Sequence, residues 1–261
     1  VELVGLVQRL AGAVIAELVG LDPRTAAGPA FAAAHAVTGQ VRLARPRLTP
    51  RQVARARAAL AELTGPAEAA YRAGDPGTVP GRMRELGLTA DEARGAVAAF
   101  VLTGTETLVS FVPRLVALLH DSGRLDRLAA ETGTGAVEPV IDEALRVTVP
   151  SPVMLRSVAA TASVGGVAVR PGDRVVIATV SAARSLGGFD PDRPHPPQLR
   201  RLWFGAGPHF CLGMPLAIAE TRAVLDAVLA AHRQRPWRIA WRRAARGVLV
   251  PGYRELVLAR G

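Results

Sequence analysis

Apolar residues recur at helical spacing through the first 148 residues, then give way to short runs of strand-like period. Residues 1–19 place apolar side chains three and four apart, which predicts a packed helix, and Gly20-Leu21-Asp22-Pro23 ends it. Glu2, Arg9 and Glu17 interrupt this stretch, so it reads as a core helix and not as a membrane span or secretory signal. An Ala-rich second helix is expected over 26–37, and Thr49-Pro50 opens a third that runs to Leu63. Its Arg51, Arg55 and Arg57 form a solvated face. The helical pattern resumes over 65–73, and Gly, Pro and Asp make 74–80 a loop. Thr89 and Glu92 form a capping box that starts the longest apolar helix, over 90–120. A short helix lies within 121–135, and another helix spans 137–147.

Beyond Val149, short strands are expected over 154–161, 162–169 and 174–179, with turns at Gly165-Gly166 and Pro171-Gly172-Asp173. Residues 182–201 are irregular and rich in Gly and Pro. A strong helix follows over 214–232, and strands over 237–241 and 248–259 close the chain. The expected fold class is mainly α with small β-sheets, in one domain over residues 1–261. Within it, 1–88 supply roof helices, 89–147 the central helices, and 148–261 the strands, a cysteine loop, the final helix and the C-terminal strands.

An apolar fraction of 49% over 261 residues supports a folded core. The net charge is +10, carried by Arg with no Lys, a pattern that fits a GC-rich genome more than a nucleic-acid binder. No RNA-binding aromatic box, zinc spacing or basic tail accompanies it, so nucleic acid is not an expected partner. A basic face instead suits an acidic protein. One cysteine excludes a disulfide framework and fits a reducing cytoplasm.

Three local features stand out. Thr103-Gly104-Thr105-Glu106-Thr107 sets a glycine, an acid and three hydroxyls inside the apolar helix, which predicts either a polar kink facing solvent or a helix opened there towards a ligand. Pro113 predicts a second break. Glu143 and Arg146 lie three apart on one helix face. The lone Cys211 sits in Phe204-Gly-Ala-Gly-Pro-His-Phe-Cys211-Leu-Gly213, directly before a helix. Glycines let the backbone approach a sulfur, and a helix N-terminus stabilises a thiolate that ligates metal.

Together these features resemble the cytochrome P450 family in its soluble bacterial form: Gly-x-Glu-Thr at Gly104, Glu106 and Thr107; Glu-x-x-Arg at Glu143 and Arg146; and Phe-x-x-Gly-x-x-x-Cys-x-Gly at Phe204, Gly207, Cys211 and Gly213. The resemblance implies haem b (iron protoporphyrin IX), with Cys211 as the metal ligand and Phe204 beside the sulfur. It implies that Arg156 and His209 hold the haem propionates. Glu143, Arg146 and Arg193 would form a buried triad. Thr107 and Glu106 would act in delivering protons to dioxygen on the distal side.

The same resemblance implies a monooxygenase acting on a small apolar substrate, in bacterial secondary metabolism and in the cytoplasm. Its electrons would come from a ferredoxin and a ferredoxin reductase, with Arg200, Arg201 and Arg222 greeting the acidic partner. Set against the family pattern, about the N-terminal third is missing: either the sequence omits a part that exists in life, or it is a minimal form completed by a homodimer or a partner protein. The rival readings are a non-catalytic helper for a partner enzyme, and a haem enzyme with peroxide-dependent or lyase chemistry. No membrane association is expected.

Overall fold

A computed structural model describes residues 1–38, 48–131, 135–199, 201–248 and 250–261. Nine helices and six strands are arranged within them: α1 Leu3–Leu18, α2 Pro23–Thr38, α3 Pro50–Ala73, α4 Val79–Glu85, α5 Ala90–Asp121, α6 Arg124–Ala130, α7 Val137–Thr148, β1 Met154–Ser157, β2 Ala162–Val164, β3 Val167–Val169, β4 Arg174–Ile177, α8 Thr179–Arg184, α9 Met214–Gln234, β5 Trp237–Ala244 and β6 Tyr253–Arg260. The fold is mainly α with small sheets, as its pattern predicts.

The central element is α5, 32 residues long. Thr89 accepts from the Glu92 N–H, and the Glu92 carboxylate accepts from the Thr89 N–H at 2.7 Å, so the capping box forms. Those bonds hold the Glu92 carboxyl below its ordinary range. The N-terminal half of α5 buries Val97 and Val101 against Ile15 of α1, its C-cap Val19, and the small Ala30, Ala33 and Ala34 of α2. Its C-terminal half buries Leu108, Val112, Leu115 and Leu119 in a second, larger cluster with α6, α7, α9 and β6. Each such Val or Leu contributes roughly 1.5–3 kcal/mol on burial. By length and composition alone α5 could cross a membrane; here it is the shared wall of two cores.

Glu2 fixes the entry to α1. Its carboxylate accepts from the N–H groups of Val4 and Gly5 and also from Leu256 of β6, at 3.2 Å. The Val1 amine donates to the Leu258 carbonyl, so the start of α1 is stitched to the last strand. The sheets are three antiparallel pairs: β1 with β4, β2 with β3, and β5 with β6. Arg260 lies 3.7 Å over the Trp237 ring and locks one end of the β5–β6 hairpin.

Several boundaries differ from the sequence pattern. The loop expected over 74–80 ends in α4, capped by Thr78 and started by a proline in its first turn. A further short helix, α8, occupies 179–184. The strand expected from 248 begins only at Tyr253. Neither expected break in α5 occurs. Each threonine turns its hydroxyl onto the carbonyl four residues back, Thr103 to Ala99, Thr105 to Val101 and Thr107 to Thr103, and the helix stays closed and runs on through Pro113.

Gly104 also has a packing task. A Cβ there would meet Ile15 Cδ1 of α1 at 2.4 Å, and Ile15 is buried. The glycine lets α1 lie against α5. Gly104→Ala is expected to lower stability by about 1–3 kcal/mol, measured by urea unfolding.

Candidate active site

The site rests on a buried ion pair. Helix α7 turns Val140, Ile141, Ala144 and Leu145 into the core, and that face also carries Glu143 and Arg146, 1% and 0% exposed. Arg146 binds the carboxylate with two N–H groups at 2.6 Å, Nε to Oε2 and Nη2 to Oε1. Its remaining donors reach the Ala183 carbonyl at 2.6 Å and those of Gly187 and Gly188 at 3.0 and 2.8 Å. The Asp190 N–H donates to Glu143 Oε1 at 2.8 Å. Burial pushes the Glu143 carboxyl up, but hydrogen bonds from Arg146, Asp190 and His195 outweigh it and hold the pKa below the ordinary value. One planar guanidinium thus gathers α8 and the irregular segment after it into a fixed shape.

The third member of this node is His195, not Arg193. His195 Nε2 lies 2.8 Å from Glu143 Oε2, and its ring meets Trp203 edge-on at a centroid distance of 5.6 Å. An ionised carboxylate only accepts, so His195 donates. Arg193 turns away to the carbonyls of Leu186 and Gly188 and to Asp190. Its guanidinium keeps one edge at solvent, which costs less desolvation than a second buried arginine beside Arg146.

The segment so anchored leads into the cysteine loop. Leu202–Phe204 form one 3-10 turn and Gly207–His209 another. Gly205, at φ 80°, reverses the chain between them, and a Cβ there would stand 3.0 Å from the His209 carbonyl. Gly207 is also left-handed, at φ 62°. The Cys211 N–H donates to the Phe204 carbonyl at 2.8 Å and closes the loop. Gly213 is the cap of α9, so the thiol stands at the start of a 21-residue helix. Cys211 is half-buried, while its neighbour Leu212 is 81% exposed and Phe210 is exposed too. His209 and Arg156 are exposed; Arg156 sits on β1, opposite Val175 of β4. Phe204 packs against the main core.

On α5, Glu106 is half-buried and engaged. Its Oε1 lies 3.0 Å from Nδ1 of His35, on α2, whose side chain is 65% exposed. The pair ties the roof to the central helix, and no short-range pattern in the sequence links residues so far apart. The Thr107 hydroxyl donates to Thr103 O and keeps its lone pairs free to accept. A cleft of about 700 Å³ opens beside this pair, between α1, α2, α5 and the loop 245–252.

Two further buried polar groups belong to the neighbourhood. Arg114 donates Nη1 to Pro251 O at 3.1 Å and Nη2 to Thr148 O; burial and the nearby Arg184 lower its pKa to about 10. Glu220 is buried on α9, with Oε1 lacking a partner among the described residues, and burial raises its pKa to about 7. The folded state therefore holds a proton that the unfolded chain releases near pH 4.5. This contribution is present below that value and is lost as pH rises towards about 7. Glu220→Gln is expected to flatten the stability profile between pH 5 and 8, with a gain at pH 8 of up to about 3 kcal/mol in chemical denaturation.

Of the expected basic face, Arg200 lies outside the described residues. Arg201 is exposed, and Arg222 is already paired with Glu138 and Asp226.

The donor set suits haem. It offers one accessible soft ligand, two exposed hydrogen-bond donors for carboxylates, and exposed apolar side chains flanking the sulfur where an ordinary surface would carry polar ones. Fold and site together define a helical scaffold with a lone thiol presented on a braced loop. Residues 136–236 match the cytochrome P450 family model, and the fold of the whole chain matches that of a solved cytochrome P450.

Among its relatives, it is 34% identical over 140 residues to "Cytochrome P-450 monooxygenase DoxA" of Streptomyces peucetius subsp. caesius, covering 51% of this chain and 31% of that one. It is 32% identical over 176 residues to the "Erythromycin C-12 hydroxylase" of Saccharopolyspora erythraea, covering 63% and 44%. The crystal structure of CalO2 superposes with TM-score 0.83 at 23% identity, over 100% of this chain and 68% of that one. A mutant of P450 EryK in complex with erythromycin B gives 0.77 at 26% identity, over 100% and 70%. The chain thus matches less than half the length of these curated relatives.

Proposed function

We propose that this chain carries the haem-thiolate centre of a monooxygenase that oxidises an apolar small molecule, as part of bacterial secondary metabolism. The carrying observation is the cysteine loop: a lone thiol at the head of α9, on a loop braced by the buried Glu143–Arg146–His195 node. Two relatives are a named monooxygenase and a named hydroxylase, which supports this chemistry.

Haem b, when bound, supplies the activation of dioxygen. With two protons and two electrons supplied, that chemistry would place one oxygen atom in a substrate C–H bond and release the other as water. Cys211 would supply the thiolate ligand, and Arg156 and His209 would hold the haem carboxylates. Glu106 passes protons inward, with the solvent-facing His35 behind it, and the Thr107 hydroxyl accepts and hands them on. An acidic ferredoxin, reduced by its reductase, approaches the side of the cysteine loop where Arg201 stands.

The test is the absorption spectrum of the haem-supplemented chain, reduced and exposed to carbon monoxide. A strongly red-shifted Soret band is expected. An unshifted band, or none, overturns the reading.

A further inference from the structure

We infer that the cleft beside Glu106 receives an apolar molecule carrying a carboxylate. The inference rests on the oxygenase reading and narrows its substrate class. The cleft, about 700 Å³, is large enough for a ligand of several hundred daltons. Val4, Phe31 and Val109 give it apolar walls. Its charged lining is unbalanced. The one acid in it, Glu106, is already met by His35 at 3.0 Å. Arg246 and Arg254 also line it, and neither forms an ion pair among the described residues.

The backbone that carries these two exposed cations is anchored. The loop that carries Arg246 is pinned at Pro251, whose carbonyl accepts from Ser110 Oγ and from Arg114 Nη1, and Ala245 donates to Gly252 O at 2.9 Å. Arg254 stands at the start of β6, next to this clamp. Arg246 on the braced loop and Arg254 on β6 both line the apolar-walled cleft, and Glu106, the acid among its described lining residues, is already engaged, so the two guanidinium groups present unmet donors to an incoming ligand. A carboxylate is the complementary group, because it accepts two parallel N–H bonds from one arginine. A neutral ligand would gain nothing from either cation, which stay exposed and hydrated.

Calorimetric titration with decanoate and with decanamide, equal in length and differing in charge, tests this directly. Decanoate is expected to bind at least roughly tenfold tighter, and added salt to narrow the gap. The double variant Arg246→Gln/Arg254→Gln should bring decanoate to the affinity of decanamide. Arg51→Gln, on the solvated face of α3, should leave it unchanged.

Equal binding of the two ligands, or binding of neither, overturns the inference. So does an Arg51→Gln loss as large as that of the double variant, which would mean a non-specific response to net charge. The acid–amide comparison needs no variant, so misfolding cannot mask it. Titration does not require haem: loss of the carbon monoxide band with the carboxylate preference intact would sink the oxygenase reading alone, and the converse result would sink this inference alone.

Discussion

Arg146→Ala is expected to destabilise the fold by about 3–5 kcal/mol, enough to unfold a marginal domain. The reason is the number of groups that one side chain satisfies. Its loss leaves Glu143 ionised and buried with only His195 and one N–H, and leaves the carbonyls of Ala183, Gly187 and Gly188 without their donor. Arg146→Lys should recover little, because an ammonium cannot span the two carboxylate oxygens and three carbonyls that the guanidinium reaches. Urea unfolding followed by circular dichroism measures the loss. A change below about 1 kcal/mol would show that the node is not the anchor of the irregular segment.

Cys211→Ala should have the opposite profile. Its sulfur is half-exposed, so its removal opens no internal cavity, and stability should change by less than about 1 kcal/mol. The Phe204 carbonyl keeps its partner, since that bond comes from the Cys211 backbone N–H. The red-shifted carbon monoxide band should vanish completely while the helical circular dichroism remains. A band that persists in the variant would refute Cys211 as the ligand. Taken together, the two variants separate the group that would bind iron from the group that shapes its loop.

What was legible in the sequence follows from the range of the interactions involved. The capping box of α5, the stripe of α9 and the Glu143–Arg146 pair are set by neighbours three or four residues away, and each appears where periodicity places it. The short helices α4 and α8 were obscured by surrounding Gly, Pro and turn residues, although the Thr78 cap with its following proline was a usable sign. His195 was not distinguishable from Arg193, because in an irregular segment no period says which side chain turns inward. The only hint was a histidine flanked by prolines. His35 was likewise invisible, since its partner lies on another helix. The threonines of α5 misled for a physical reason: their polarity suggested an opened helix, yet a hydroxyl satisfied by the preceding turn costs the helix little.

The two cores that share α5 are built from unequal material. One contains leucines, isoleucine, phenylalanine and tryptophan; the roof core is half alanine, with Ala30, Ala33, Ala34 and Ala67 meeting Ile15, Val19, Val97 and Val101. An alanine buries a single methyl, so the roof gains little per residue ordered. Amide hydrogens of α2 and α3 should therefore exchange with deuterium through partial openings, well before those of α7 and α9, which should wait for global unfolding. Such an opening would lift His35 from Glu106 and unroof the cleft while the cysteine loop stayed in place. The roof would then act as a hinged door, and the closed fold would admit a ligand at the rate at which that door swings.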